Sequence, residues 1–198
     1  SDSSNIAYAQ LNIGRISHDQ GNYETASQSL QQAISIMEHL GDNDGVVGAL
    51  SALGTVQIDQ GHSALALRTF LHGLKICENT NNKQFKAVLL SNIGDLYFIQ
   101  QDRDNALKYY NTCLQICEEI GSQPGILYTL EDLGRLYLET DPPTAIDYFK
   151  RCMTIAQSSG DLRMLASALT LQGTAFRILG KYHFADSLIG RGIEYLRK

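Results

Sequence analysis

The stretch that decides the fold runs from residue 92 to residue 113 and reads NIGDLYFIQQDRDNALKYYNTC. Gly94 is followed twelve residues on by Ala106, four beyond that by the bulky Tyr110, and three further by the small Cys113. The same order recurs on both sides of it. Gly14, Gly54, Gly94 and Gly134 are spaced by 40, and Gly173 follows after 39. Their frames are Asn12-Ile13-Gly14, Ala52-Leu53-Gly54, Asn92-Ile93-Gly94, Asp132-Leu133-Gly134 and Leu171-Gln172-Gly173. The alanine returns as Ala26, Ala66, Ala145 and Ala185, and the bulky residue as Leu30, Phe70, Phe149 and Ile189. Ala33, Gly73, Cys152 and Gly192 hold the small-residue slot. A fixed period of this length is the signature of stacked structural repeats. The period divides the chain, residues 1–198, into one array of five copies: 5–42, 43–82, 83–122, 123–161 and 162–198.

Each copy reads as two antiparallel helices of about four turns. Ile6, Ile13 and Ile16, and then Leu50, Leu53 and Val56, recur at helical spacing. Gln20-Gly21-Asn22, Gln60-Gly61-His62 and Gly180-Lys181 punctuate the middle of repeats, and turn-rich stretches such as Gly41-Asp42-Asn43-Asp44 separate them. The one missing residue falls in Thr140-Asp141-Pro142-Pro143, a turn in which a proline can open the next helix without losing a bonded N–H. A glycine inside a helix costs about 1 kcal/mol relative to alanine. Its return in every repeat predicts that the neighbouring helix passes too close for a side chain.

Composition narrows the function. The formal net charge of −5 disfavours a nucleic-acid backbone as partner. No apolar run is long enough to cross a membrane. The sequence opens Ser1-Asp2-Ser3-Ser4-Asn5, with neither methionine nor a signal sequence, and is expected to be a segment of a longer, cytoplasmic protein. Cys113 and Cys117 lie four apart, a spacing that suggests a metal pair. The register says otherwise, because Cys113 and Cys152 share the slot of Ala33, Gly73 and Gly192, while Cys77 and Cys117 share a second one. The thiols are read as small core residues in a reducing compartment, and no metal or cofactor is expected.

Apolar-Gly-x-x-aromatic, then Gly-x-Tyr-x-x-Ala, then a bulky and a small residue, resembles the tetratricopeptide repeat. Gly14, Gly21, Tyr23, Ala26, Leu30 and Ala33 carry the pattern in repeat one, and Gly134, Tyr137, Ala145, Phe149 and Cys152 in repeat four. Ser17 and Gln57 depart from the aromatic, Gln101 from the turn glycine, and Gln172 from the apolar residue before Gly173. The 40-residue period is similar to a long-repeat subgroup that includes kinesin light chains, Pins-type adaptors and bacterial peptide-pheromone receptors.

The resemblance implies an all-α, right-handed solenoid of ten antiparallel helices whose first helices line a concave groove for a peptide or partner helix. In that family asparagines two residues before the glycine grip a peptide backbone, which Asn12 and Asn92 match and Asp132 matches only as an acceptor. An amide suits this task because it donates and accepts at once. The alternative is that each asparagine bonds a neighbouring helix. The resemblance places Tyr8, Tyr128, Arg15, Arg135, Asp95 and Phe98 on the same face. Arg15 and Arg135 either fork onto a ligand carboxylate or pair internally with Asp19 and with Glu131 or Glu139. Of the histidines, only His18 falls in the groove. Leu11 and Val88 stand where family members that clamp a C-terminal carboxylate carry basic residues, so that clamp is not expected.

No phosphate-binding loop, His-Glu-x-x-His or Gly-x-Ser-x-Gly occurs, so the sequence is read as a binding module and not an enzyme. A second reading makes it the regulatory segment of a larger signalling protein. Phe184, Leu188, Ile193 and Leu196 on the last helix predict further protein beyond Lys198 or self-association through that end.

Overall fold

A computed structural model describes residues 2–197. Among them are ten α-helices and no strand: α1 (Asp2–Asp19), α2 (Tyr23–Leu40), α3 (Asn43–Asp59), α4 (Ser63–Thr80), α5 (Lys83–Ile99), α6 (Arg103–Glu119), α7 (Gln123–Tyr137), α8 (Pro142–Ser159), α9 (Leu162–Ile178) and α10 (Tyr182–Leu196). They alternate as first and second helix of each repeat, which is the all-α solenoid architecture the period implies. The helices group into two compact units, α1–α5 and α6–α10.

Local chemistry sets the helix ends. Asp42, Asn82, Asp102, Ser122, Asp141 and Asp161 occupy N-cap positions, each accepting a bond from a backbone N–H three residues on. Pro142 opens α8 directly after Asp141, at the position where the shortened turn needs a rigid helix start. Gly41 and Gly160 close α2 and α8 in the left-handed region, a conformation without steric cost only for glycine. Gln101, where the turn glycine is replaced, adopts the same region at φ 61°.

In the first unit the core is built from α1–α3 side chains such as Leu11, Leu30, Met37, Val46, Leu53 and Val56. In the second, Leu130, Leu133, Phe149 and Leu169 are fully buried. The repeat glycines explain the close approach of paired helices. A Cβ on Gly54 would stand 2.2 Å from Phe70 Cε1, and one on Gly134 2.3 Å from Phe149 Cε1. Gly14 faces Leu30 and Gly173 faces Ile189 in the same way. The bulky residue sixteen positions after each of these glycines, or fifteen after Gly134 across the shortened turn, is therefore the knob, and the glycine is its socket.

The departures from the family pattern are accommodated individually. Buried Gln57 accepts from Thr69 Oγ1 at 2.8 Å, and buried Gln172 donates to the Ile146 carbonyl at 3.4 Å. All four cysteines are free and buried. Cys113 Sγ lies 3.3 Å from Thr129 Oγ1 and 4.0 Å from Cys117 Sγ. Cys152 Sγ donates to the Leu127 carbonyl at 3.6 Å. Burial pushes the Cys113 and Cys152 thiols up to about 12, so both stay protonated and unreactive.

Candidate functional site

The candidate site residues stand on the first helices of the repeats, and the two units are taken in turn. On the first unit, Tyr8 of α1 is exposed and its hydroxyl donates to Asp42 Oδ2 at 2.8 Å. Asp42 is also the N-cap of α3, where its Oδ1 accepts from the Gly45 N–H at 2.9 Å. The carboxylate bond, then burial, raises the Tyr8 phenol above its ordinary value. Tyr8 is thus a strut between repeats one and two that leaves its ring exposed.

The two asparagines differ. Asn92 of α5 is half-buried and donates from Nδ2 to Ser51 Oγ of α3 at 2.9 Å. Its amide nitrogen is engaged by a neighbouring helix, the alternative that sequence reading left open. Asn12 of α1 is exposed and has no hydrogen-bond partner among the described residues. Arg15, one turn further, is likewise exposed and unpaired there, so the internal pairing with Asp19 does not form.

Asp19 instead approaches His18. The His18 ring lies between two carboxylates, with Nε2 2.6 Å from Asp59 Oδ2 and Nδ1 3.6 Å from Asp19 Oδ1. This clamp ties the end of α1 to the end of α3, and sequence reading missed it. The signal was present, since His18 and Asp59 are one repeat plus one residue apart. Phe98 of α5 is exposed, and Asp95 on the same helix is half-buried.

On the second unit, exposed Tyr128 of α7 lies under the Arg163 guanidinium of α9, 5.6 Å from ring centroid to Cζ. Arg163 also donates to the Tyr128 hydroxyl. Arg135 pairs internally: its Nη2 donates to Glu131 Oε1 at 2.7 Å and its Nε to the same oxygen at 3.2 Å. Glu131 Oε2 accepts from Ser167 Oγ of α9 at 2.8 Å. Glu131 is thus used on both oxygens, and it binds α7 to α9 while orienting the arginine. Asp132 beside it is half-buried. Arg177 of α9 is exposed and without a partner among the described residues.

Chemically, these faces offer amide, guanidinium and aromatic surface, which suit recognition of backbone, carboxylates and apolar side chains. Among the described residues no group of three or more His, Cys, Asp or Glu side chains could hold a metal ion. No helix among them is long and apolar enough to cross a membrane.

Paired helices locked by a recurring glycine socket, with polar cross-repeat bonds on the first helices, define an α-helical repeat scaffold. The chain belongs to the tetratricopeptide repeat family, whose model matches residues 5–79 and 85–158. No curated protein matches the chain in sequence. Solved structures share its fold. BtubC (BKLC) from P. vanneervenii is 17% identical, with a TM-score of 0.83 over 98% of this chain and 81% of that one. A putative kinesin light chain of Podospora anserina with nearly identical TPR-like repeats is 13% identical, with a TM-score of 0.74 over 98% of this chain and 96% of that one. The Rap conjugation gene regulator of plasmid pLS20, solved in complex with the Phr* peptide, is 15% identical. Its TM-score is 0.77, over 96% of this chain and 53% of the regulator.

Proposed function

We propose that the chain is a non-catalytic protein-interaction scaffold that holds an extended peptide or partner helix against its first helices. The observation that carries this is the pair Asn12 and Arg15, one turn apart on α1, exposed and unpaired beside Tyr8. Asn12 would read the ligand backbone and Arg15 a carboxylate. Arg135, oriented by Glu131, and Tyr128, capped by Arg163, offer a second set of contacts, with Asp95, Phe98, Asp132 and the remaining acceptor of Asn92 as supporting contacts. The five repeats form one array in this reading, and the Phr* peptide bound by the Rap regulator supports a peptide ligand. The buried free thiols support a reducing compartment such as the cytoplasm.

The test is a peptide array probed with the whole chain, followed by calorimetric titration of the best binder. Asn12→Ala/Arg15→Ala should weaken that peptide by about tenfold or more, since two polar contacts of about 1 kcal/mol each are lost. Equal affinity for wild type and variant, with both folded, rejects these two residues as ligand contacts.

Two further readings have specific support. A regulatory role within a larger signalling protein is favoured by likeness to the tetratricopeptide sensor of a signal-transduction ATPase from Pyrococcus horikoshii, 33% of which this chain covers at 16% identity. Self-association is favoured by the apolar surface of α10, where Phe184 and Leu196 are exposed.

A further inference from the structure

We propose that the outer face of α4 docks an acidic amphipathic helix of a partner protein. Arg68 and Lys75 each meet a carboxylate, and Leu71 packs on an apolar side chain between them. This surface is separate from the first-helix face that holds the peptide.

α4 is an interior second helix, packed on α3 and on α5. Ala66, Phe70, Gly73 and Cys77 are buried and define its inner side. Seven residues advance a helix by about two turns, or about 10.5 Å, and return to nearly the same face. Arg68 and Lys75 are related in this way, and with Leu71 they make an exposed ridge on the side away from the core. Leu71 is 45% exposed, and Leu65 six residues before it 46%. A single exposed leucine is ordinary on a folded domain, so the repeat must decide whether this ridge is more than that.

The place of Leu71 is held in the other repeats by Gln31, Asn111, Lys150 and Gly190. That of Leu65 is held by Thr25, Asn105 and Thr144 in repeats one, three and four. Gln28, Lys108, Asp147 and Ser187 stand at the place of Arg68, and Ser35, Gln115, Thr154 and Glu194 at that of Lys75. Repeat two alone combines leucine with two cations there, and the fold demands none of the three.

Charge identifies what fits. On α8 the outer cations are matched within the chain, Lys150 by Asp147 at 3.5 Å and Arg151 by Glu118. Arg68 and Lys75 have no such partner among the described residues. Residues 63–77 of α4 include no acid, although the chain as a whole has a net charge of −5. Glu78, which follows, faces Lys86 at 4.0 Å. The ridge is therefore a cationic strip with an apolar centre on an otherwise acidic protein.

The backbone of α4 is bonded within its own helix, so an extended peptide laid on it would find no backbone partner. An incoming helix satisfies its own backbone and needs only side-chain contacts. Carboxylates seven residues apart on that helix match Arg68 and Lys75, with an apolar residue between them for Leu71. Two cations are too few for an anionic membrane, whose recognition takes roughly four to eight.

The probe is a displayed library of randomised peptides of about 20 residues on a helical, alanine-rich frame, selected on the whole chain. Enriched peptides are titrated by fluorescence anisotropy against wild type, Arg68→Gln/Leu71→Gln and Arg68→Glu/Lys75→Glu. Repeat one carries glutamine at both places of the first pair, Gln28 and Gln31, and circular dichroism melting checks that both variants are folded. Enriched sequences should carry Asp or Glu seven residues apart around an apolar residue. They should bind the glutamine variant about tenfold more weakly or worse. The Arg68→Glu/Lys75→Glu variant should lose them and regain binding with a peptide whose two acids are replaced by lysine. A library that yields no helix, or peptides that bind wild type and both variants equally, overturns the inference. Peptides lost only in Asn12→Ala/Arg15→Ala overturn it too, while leaving the first-helix reading in place. Co-sedimentation with phosphatidylserine–phosphatidylcholine vesicles that disappears in Arg68→Glu/Lys75→Glu would replace the partner helix with a membrane surface.

Discussion

Two glycines six residues apart on α3 should respond to alanine with opposite sign. Both sit in a helix interior, where alanine gains about 1 kcal/mol of propensity over glycine. At Gly48 the new methyl would lie 3.7 Å from the Phe85 ring, an ordinary van der Waals distance, so Gly48→Ala should stabilise the protein by about 1 kcal/mol. At Gly54 the methyl would lie 2.2, 2.6 and 2.7 Å from Phe70 Cε1, Cζ and Cδ1. The ring would have to retreat by about an ångström, yet it is 0% exposed and packed on all sides. Overpacking of this kind costs about 1–3 kcal/mol, and the depth of the overlap puts Gly54→Ala near the upper end. After the propensity gain, the net effect should be a loss of about 1–2 kcal/mol. Urea denaturation followed by circular dichroism measures both variants on one scale, and they should differ by about 2–3 kcal/mol. A double-mutant cycle isolates the cause. Phe70→Ala alone should cost about 3–5 kcal/mol, but in that background Gly54→Ala should turn stabilising because the ring is gone. Equal stabilisation by the two alanines in the native background would refute the socket argument.

The remaining predictions concern single groups. Asn92→Ala should lose about 1 kcal/mol in urea denaturation because the bond to Ser51 disappears, whereas Asn12→Ala should fall within about 0.5 kcal/mol of wild type. Gln101→Gly should raise stability by about 0.5–1 kcal/mol, because the left-handed conformation at φ 61° is free of Cβ strain only for glycine. Cys113 and Cys152 should resist a thiol reagent at neutral pH in the native protein and react at once in denaturant. Their thiols are held above the ordinary value of 9.0, so their proton-linked stability is intact below pH 9.0 and is lost as pH rises towards 12. Unfolding titrations should show a decline of about 1.4 kcal/mol per pH unit for each thiol in that window.

The repeat made the helices legible because its glycines report a distance, not merely a turn. Gly54 and Phe70 are sixteen residues apart, and their contact needs no information from elsewhere in the chain. The cysteines were legible for the same reason, since Cys113 and Cys152 fall in a slot that glycine and alanine fill in other repeats. Gln57 and Gln172 looked like weak points in sequence but are bonded to Thr69 and to the Ile146 carbonyl. Period and propensity carry nothing about such a bond, because it depends on one rotamer meeting one partner.

That limit matters most on the first helices, where register assigns a residue to a face but not to a partner. Asn12 and Asn92 occupy one repeat position, yet Ser51 engages the second and no described residue engages the first. At Asn92 the partner comes from the flanking first helix, α3, which supplies Ser51. Arg15 and Arg135 diverge similarly. Glu131, four residues before Arg135, forms the helical ion pair, while the residue four before Arg15 is Leu11, which is buried in the core. Asn92 and Arg135 are therefore engaged by their neighbours, whereas no described residue engages Asn12 or Arg15. On this argument ligand affinity should concentrate on α1, and Asn12→Ala/Arg15→Ala should weaken a bound peptide more than Asn92→Ala/Arg135→Ala does. The reverse order in calorimetry would mean that side chains pre-oriented by Ser51 and Glu131 dominate recognition, and that Asn12 and Arg15 do not.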